Sequence, residues 1–369
     1  EAAYPAVAEA VGIDPASGRP AVFDLTDERF RDAYFRLLHH PLEDEGVDFW
    51  WVDWQQGPYS RVPGLDPLWL LNHLHFLDSA RRGRRPLTFS RYAGPGSHRY
   101  PVGFSGDSVT SWASLQFQPF FTATAANIGY GWWSHDIGGH MFGSKDDELV
   151  TRWVQLGCFS PVNRLHSTLN PFNGKEPWRY GPVAEQVQTE FLRLRHRLLP
   201  YLYTMNERAH RLGRPIVEPL YWQAPTLANL AAPTSFRFGS ELHVAAITSP
   251  VTPGTDLAAV TTQLGPGSWV DVFTGLAYDG DRTVTLHRPL TSYPVLAKAG
   301  GIVPLTGPDD LGISNPAALE VRVYAGASGE LVLYEDDDAA RPRSVRTKLA
   351  FDWEDATLTI HPAEGELDV

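Results

Sequence analysis

Residues 46–53 read GVDFWWVD, and this stretch decides the fold. It is an almost unbroken apolar run that ends in a carboxylate, Asp53. Strands of parallel sheets are covered on both faces and therefore read as continuous hydrophobic runs. The stretch predicts a buried parallel strand with Asp53 at its carboxyl end. The other carboxylate, Asp48, lies inside the run and fits a buried structural role equally well.

Strand and helix patterns alternate around this stretch. Before residues 46–53, a helical pattern begins with Thr26 as its predicted N-cap. Further strand patterns lie at 86–91, 102–105, 128–135 and 157–160. Helical patterns lie at 66–82, 112–126 and 183–211, and the acidic residues at 146–148 open another helix. Five strand-then-helix units predict a parallel α/β fold, and carboxylates at strand ends favour a (β/α)8 TIM barrel. Because a closed barrel needs three more strands, we expect the N-terminal strands to be missing from this chain.

The pattern changes after Gly213. Short alternating runs separated by Gly, Pro and Asp turns follow, as in all-β sandwiches. The sequence therefore predicts a partial catalytic barrel at 1–213, a proximal β-sandwich at 214–305 and a distal, incomplete β domain at 306–369.

Charge and composition exclude several classes of protein. The formal net charge of −12 argues against a nucleic-acid partner, which needs clustered Lys and Arg. Cys158 is the single cysteine, so the chain has neither an intrachain disulfide nor a Cys cluster for zinc. No apolar run reaches the length of roughly 18 residues that a membrane span needs. A soluble protein is expected, cytoplasmic or secreted, and its oligomeric state is open.

Two strand-end carboxylates, Asp53 and Asp107, suggest glycoside hydrolysis. In a retaining enzyme one carboxylate attacks the anomeric carbon, and the other protonates the leaving oxygen and later activates water. The alternative for any single strand-end Asp is a helix cap or a loop hydrogen bond.

Five sequence blocks resemble glycoside hydrolase family 31, the family of retaining α-glucosidases and α-xylosidases. In chain order the blocks are GVDFWWVD at 46–53, FSRYAGPGS at 89–97, GFSGD at 103–107, GWWSHDIGG at 131–139 and FSPVNRLH at 159–166. Their order over about 120 residues makes the resemblance specific, and it extends more loosely into the β domains.

The resemblance implies a role for each matching residue. Asp53 matches the nucleophile and Asp107 the general acid/base. Arg91 matches an arginine near the acid/base and the first sugar. Asp136 and His166 match residues that bind hydroxyl groups of that sugar. Trp51 and Phe104 match aromatic residues in the wall of the pocket. Trp54, the residue after the nucleophile, is also expected to contact the substrate.

The implied activity is that of a retaining exo-acting α-glycosidase, first of all an α-glucosidase, acting on an oligosaccharide or another α-glycoside. The alternatives are an α-xylosidase, an α-galactosidase, an α-glucosyltransferase and a catalytically dead carbohydrate-binding chain. Trp54, Phe104, His140 and Leu165 depart from the typical α-glucosidase pattern, in which Phe is common at position 140, so the preferred sugar is open.

No cofactor and no metal are expected. The spacing of His135, Asp136 and His140 suggests a metal site, but the block already has a carbohydrate role. The acidic run at 335–338 is interpreted as a solvated turn in preference to a calcium site.

Overall fold

The structure, a computed structural model, describes residues 2–53, 56–91 and 94–368. The chain divides into two units, Glu1–Phe104 and Ser105–Val369. Among the described residues, no helix has both the length and the apolar character that crossing a bilayer requires.

A parallel sheet forms the centre of the first unit. Its strands are β1 (Trp51–Val52), β2 (Phe89–Arg91) and β3 (Gly103–Phe104), in that order. The predicted parallel strands are therefore present, but the first is shorter than its apolar run. Pairing with β2 begins only at the Trp50 carbonyl, which accepts the Phe89 N–H at 3.0 Å. Asp48 lies outside the strand, where its exposed carboxylate pairs with Arg84 at 3.0 Å.

Helices pack against this sheet through apolar side chains. They are α1 (Tyr4–Ala10), α2 (Glu28–Ala33), α3 (His40–Glu45) and α4 (Pro67–Ser79), with a π-helical segment, Tyr34–His39, between α2 and α3. A core of five buried residues joins α2 and α4 to β1: Leu25, Phe30, Val52, Leu68 and Leu71.

The predicted cap of α2 was wrong by one residue. Asp27 is the N-cap, and its side chain accepts the Arg29 N–H. The Thr26 hydroxyl is instead donated to Asp24 at 2.5 Å, so Thr26 stabilises the preceding turn.

The second unit begins with further α/β elements. They are α5 (Trp112–Ala125), β4 (Trp133–Ser134), α6 (Asp147–Cys158), α7 (Pro182–Arg197) and α8 (Leu199–Leu212). The predicted helix at 183–211 is thus two helices that meet at Leu198. Pro200 explains the break, because proline has no N–H to continue the helical pattern and its ring crowds the preceding turn.

The predicted strand at 157–160 was wrong. Gly157 and Cys158 are the last residues of α6, and a Cβ on Gly157 would come within 2.5 Å of Ile137 Cδ1. Helix α6 can approach Ile137 this closely because position 157 carries no side chain. The parallel pairing expected here is instead an isolated bridge between Ile137 and Leu165.

The chain after residue 213 is mostly antiparallel β-structure, as predicted. Its elements are β5 (Val217–Pro219), α9 (Leu227–Leu230), β6 (Ser235–Phe238), β7 (Leu242–Ala245), β8 (Ala258–Leu264), β9 (Ser268–Asp271), β10 (Ala277–Asp279), β11 (Arg282–Arg288), β12 (Val295–Lys298), β13 (Ile302–Thr306), β14 (Leu319–Val323), β15 (Gly329–Asp336), β16 (Ser344–Asp352), β17 (Thr357–Ile360) and β18 (Glu364–Gly365). One sheet has the strand order β10-β9-β12-β7-β6-β5, and another has the order β15-β16-β17 with β18 also pairing with β16. Strands β8 and β11 form a pair, as do β13 and β14. The three domain ranges proposed from the sequence stay predictions.

Candidate active site

Asp53 and Arg91 form an ion pair at the carboxyl ends of β1 and β2. Asp53 follows β1 directly, and Arg91 is the last residue of β2. Arg91 Nε donates to Asp53 Oδ1 at 2.5 Å, and the two side chains are 23% and 28% exposed. A charge-assisted hydrogen bond orients the carboxylate, and part of the carboxylate stays accessible to a substrate.

Aromatic rings surround this pair. The Trp51 ring lies edge-on to Phe89 at 5.0 Å and to Phe104 at 5.6 Å. Arg91 places its guanidinium carbon 5.6 Å from the centre of the Phe104 ring, which is a cation–π distance. Trp51 is 47% exposed, whereas Phe104 is buried. Trp51 therefore offers an apolar face to a ligand, and Phe104 supports Arg91 from the interior. Trp54 lies outside the described residues.

A cavity of about 210 Å³ lies beside Asp53 in the first unit. Trp50, His39 and His75 contribute to its wall. Burial lowers the pKa of His75 to about 3, and Tyr34 lies 3.0 Å from its Nε2 atom. The wall therefore offers neutral polar groups. Sequence reasoning did not identify this wall, because His39 and His75 fit helical packing patterns.

Asp107 lies just beyond β3 in the chain and belongs to the second unit. Its carboxyl group is 42% exposed, and its Oδ1 atom is 3.7 Å from His140 Nε2. The rings of His140 and His166 lie 4.4 Å apart. The structure thus brings Asp107 and His166, both predicted site residues, together with His140, which was noted only as a departure from the family pattern.

Asp136 is almost fully buried and held by three donors. Its Oδ2 atom accepts the Ser108 N–H at 2.9 Å and the Ser108 hydroxyl at 3.2 Å. Its Oδ1 atom accepts from the Arg164 guanidinium at 2.6 Å. Asp136 therefore anchors the residue next to Asp107 as well as Arg164.

Two cations near Asp136 were not singled out by sequence reasoning: Arg164, which is partly buried, and Lys175, which is buried. Burial lowers the pKa of Arg164, and Asp136 opposes this shift. Burial also lowers the pKa of Lys175 to about 8. Gly138 makes room for this lysine, since a Cβ there would lie 2.7 Å from Lys175 Cδ. Arg164 was detectable in principle, because it stands inside the block at 159–166.

The His166 imidazole is neutral under ordinary conditions. Its pKa is lowered mainly by burial and further by the positive charge of Arg164, while Asp136 opposes these effects. A neutral imidazole can accept one hydrogen bond and donate another, which suits contact with a hydroxyl group.

His135 is a buried structural residue. Its Nδ1 atom accepts the Trp153 indole N–H at 3.1 Å, so the proton resides on Nε2, which lies 2.9 Å from the Ser160 hydroxyl. Burial lowers its pKa to about 3. Both nitrogens are engaged in the core, and the trio of His135, Asp136 and His140 is therefore not a ligand set.

The acidic run at 335–338 is only partly a solvated turn. Asp336 is buried and accepts hydrogen bonds from the hydroxyls of Tyr203 at 2.8 Å and Tyr334 at 3.1 Å. Asp337 pairs with Arg343 at 2.9 Å. These contacts give the run a structural role in the distal β region.

Comparisons with known proteins identify the family of this chain. Residues 8–205 match the glycosyl hydrolases family 31 TIM-barrel domain, and residues 213–303 match the glycosyl hydrolase family 31 C-terminal domain. The chain is 28% identical over 87% of its length to neutral alpha-glucosidase C of Mus musculus, covering 38% of that protein. It is 27% identical over 77% of its length to an alpha-xylosidase of Saccharolobus solfataricus, covering 39% of that protein.

A solved structure shows the same relationship. The alpha-xylosidase of Xanthomonas citri superimposes with a TM-score of 0.79 and 26% identity, over 93% of this chain and 41% of that one. The chain thus spans about two fifths of the length of the relatives it matches. The predicted fold class, a TIM barrel followed by β-structure, is confirmed. Since the barrel match alone covers more than half of its residues, the chain belongs to glycoside hydrolase family 31.

Proposed function

We propose that the protein containing this chain is a retaining α-glycosidase that removes terminal α-linked sugars from the non-reducing end, and that it acts first of all as an α-glucosidase. The observation that carries the proposal is the carboxylate of Asp53 held by Arg91 at 2.5 Å beside the exposed ring of Trp51. Relatives named alpha-glucosidase and alpha-xylosidase support the same chemistry.

Asp53 is assigned the attack on the sugar. In the first step a carboxylate oxygen of Asp53 forms a bond to the anomeric carbon as the bond to the leaving oxygen breaks. The hydrogen bond from Arg91 orients the carboxylate for this attack, and positioning of this kind supplies much of the rate enhancement in enzymes.

Asp107 is assigned both proton transfers. It donates a proton to the leaving oxygen in the first step and takes a proton from water in the second, when water displaces Asp53 from the anomeric carbon. The product keeps its α configuration because the carbon is inverted twice. The 42% exposure of the Asp107 carboxyl suits a group that must meet both a leaving group and water.

The remaining site residues are assigned to sugar binding. Trp51 offers its ring face, and His166 offers a neutral imidazole to a hydroxyl group. A carboxylate has about four lone-pair positions, so the three protein donors on Asp136 leave capacity for a sugar hydroxyl as a fourth donor. Phe104 and Trp54 complete the proposed wall.

Two experiments test the proposal. The first compares hydrolysis of aryl α-glucosides, α-xylosides and α-galactosides by the whole protein, with product analysis at high acceptor concentration to reveal glucosyl transfer. Preference for the xyloside favours the second candidate, an α-xylosidase, which two of the matched proteins are named. Absence of turnover on every α-glycoside contradicts the proposal.

The second experiment locates the nucleophile. A 5-fluoro α-glycosyl fluoride slows release of the glycosyl-enzyme, so peptide mass spectrometry finds the modified residue. We expect the label on Asp53. Asp48→Asn is the matched control, since Asp48 lies in the same sequence block but pairs with Arg84 at the surface. It should leave labelling unchanged, whereas Asp53→Asn should abolish it. A label on any other carboxylate overturns the assignment.

A further inference from the structure

Asp107, His140 and His166 form a cluster of metal-ligand type. Each offers one donor atom, and the three donor atoms lie within 4.8 Å of one another. His140 Nε2 lies 3.7 Å from Asp107 Oδ1, which is longer than a hydrogen bond. Three different loops supply the residues, so the cluster exists only in the folded chain.

His140 is the unusual member of this cluster. Its side chain is only 12% exposed, yet among the described residues no group makes a hydrogen bond with its Nδ1 atom. Burying the Nδ1 atom without a hydrogen bond is unfavourable, because the atom loses its water. The other ring nitrogen, Nε2, lies 3.7 Å from Asp107 Oδ1 and is the atom that an ion would use.

The donor set favours particular ions. Two imidazole nitrogens and one carboxylate oxygen suit divalent first-row transition ions, whereas magnesium and calcium prefer oxygen ligands throughout. Zinc bonds to these atoms are about 2.0–2.2 Å long and arranged tetrahedrally, so two ligand atoms of one ion lie about 3.4 Å apart. Binding therefore requires the three donor atoms to move closer together, and the partly exposed Asp107 side chain can supply part of that movement.

Nearby positive charge does not forbid such a site. The nearby cation Arg164 forms an ion pair with Asp136 at 2.6 Å, which compensates part of its charge. Burial lowers the pKa of the other cation, Lys175, to about 8, which weakens its hold on a proton.

We propose that Asp107, His140 and His166 bind a divalent transition-metal ion such as zinc, and that the bound ion inhibits the enzyme. The inhibition part rests on the proposed function, because the ion would occupy the carboxylate assigned to proton transfer and the imidazole assigned to the sugar. The binding part is independent of the proposed function, because it concerns only the folded chain and the three side chains.

Calorimetric titration of the whole protein with zinc chloride, without substrate, tests the binding part. We expect one saturable site that magnesium and calcium do not fill. Cobalt(II) serves as a spectroscopic probe, since its visible absorption reports nitrogen and oxygen ligation. A protein without saturable zinc binding, or one that takes up calcium at these residues instead, contradicts the proposal.

His140→Phe removes one ligand and installs a residue that fits the family pattern. Zinc affinity should fall by at least about 10–100-fold, the range that even outer-shell changes produce. His210→Phe is the matched control, because it removes an exposed imidazole of the same unit outside the cluster and should keep the affinity of the parent protein. Equal zinc affinity in His140→Phe and in the parent protein would contradict the proposal that His140 binds the ion.

The inhibition part has its own readout. Zinc should raise the apparent KM of the parent enzyme, chelator should reverse the effect, and His140→Phe should resist it. Binding without inhibition would refute only the link to catalysis. A protein that binds zinc at these residues but hydrolyses no α-glycoside would refute the proposed function and leave the metal site standing.

Discussion

The Arg91 guanidinium donates through Nε to Oδ1 of Asp53 over 2.5 Å. The register of the sheet produces this contact, because β1 and β2 run parallel with Val52 opposite Ser90. The next residue of each strand therefore emerges at the same edge. The geometry makes Arg91 a positioning residue for the proposed nucleophile.

Arg91→Lys should lower kcat in the whole enzyme by about 10²–10³-fold, the cost of losing one well-placed donor. Lysine keeps the positive charge but lacks the planar fork whose Nε holds the carboxylate. Steady-state kinetics measure the effect. Arg84→Lys, which alters the exposed pair with Asp48, is the control and should keep full activity. Equal kcat values for both variants would show that Arg91 does not position the nucleophile.

Asp107→Ala should lower turnover of substrates with poor leaving groups by about 10²–10⁴-fold, as expected when a general acid is removed. An α-glycosyl fluoride needs no proton donor, so it should still form the glycosyl-enzyme, which then accumulates without a base. Added azide should release it as an α-configured glycosyl azide, detectable by mass spectrometry and NMR.

The matched variant Asp53→Ala should fail with every substrate, because no glycosyl-enzyme can form. If azide instead rescues Asp53→Ala to a β-configured product while Asp107→Ala stays inactive towards fluoride and azide, the two roles are exchanged.

Gly157→Ala should destabilise the protein by about 1–3 kcal/mol, the usual cost of overpacking a core. The added Cβ would stand 2.5 Å from Ile137 Cδ1, and this outweighs the gain of about 1 kcal/mol that alanine brings inside a helix. Urea denaturation measures the loss of unfolding free energy.

The double variant Ile137→Val with Gly157→Ala checks the cause. Valine lacks Cδ1, so Ile137→Val should cost less in the Gly157→Ala background than in the parent. Strict additivity of the two changes would mean that the clash is not the reason.

His135 should make the unfolding free energy depend on pH. Its pKa in the folded state is about 3, well below its ordinary value of 6.5, because burial disfavours the charged ring. Between about pH 6.5 and 3, His135 is therefore protonated in the unfolded chain and neutral in the folded chain. The stability due to the neutral ring is complete above pH 6.5 and is lost as the pH falls through that window.

His135→Gln should reduce the slope of unfolding free energy against pH by nearly one proton, about 1.4 kcal/mol per pH unit, in the lower part of that window. Chemical denaturation between pH 4 and 6 measures the slope. His210→Gln, at an exposed position, should leave it unchanged. An unaltered slope in His135→Gln would show that the ring is protonated in the folded state.

Local sequence patterns were sufficient to predict the three strands β1 to β3, the change to β-structure after residue 213 and the family. These follow from local patterns: the apolar run that ends at Asp53, the alternation after Gly213 and the five ordered blocks. The period of the hydrophobic residues and the positions of the turn residues indicate whether each segment is a helix or a strand, and the order of these elements indicates the class of fold.

Tertiary structure decided the rest. Gly157 reads as the start of a strand, yet close packing on Ile137 keeps it in a helix. No spacing rule places His140 beside Asp107, 33 positions earlier in the chain, or His166 beside both. Distances between side chains on separate loops depend on how the loops pack. A linear pattern carries no information on that packing, and the ligand cluster proposed here became visible only in the folded chain.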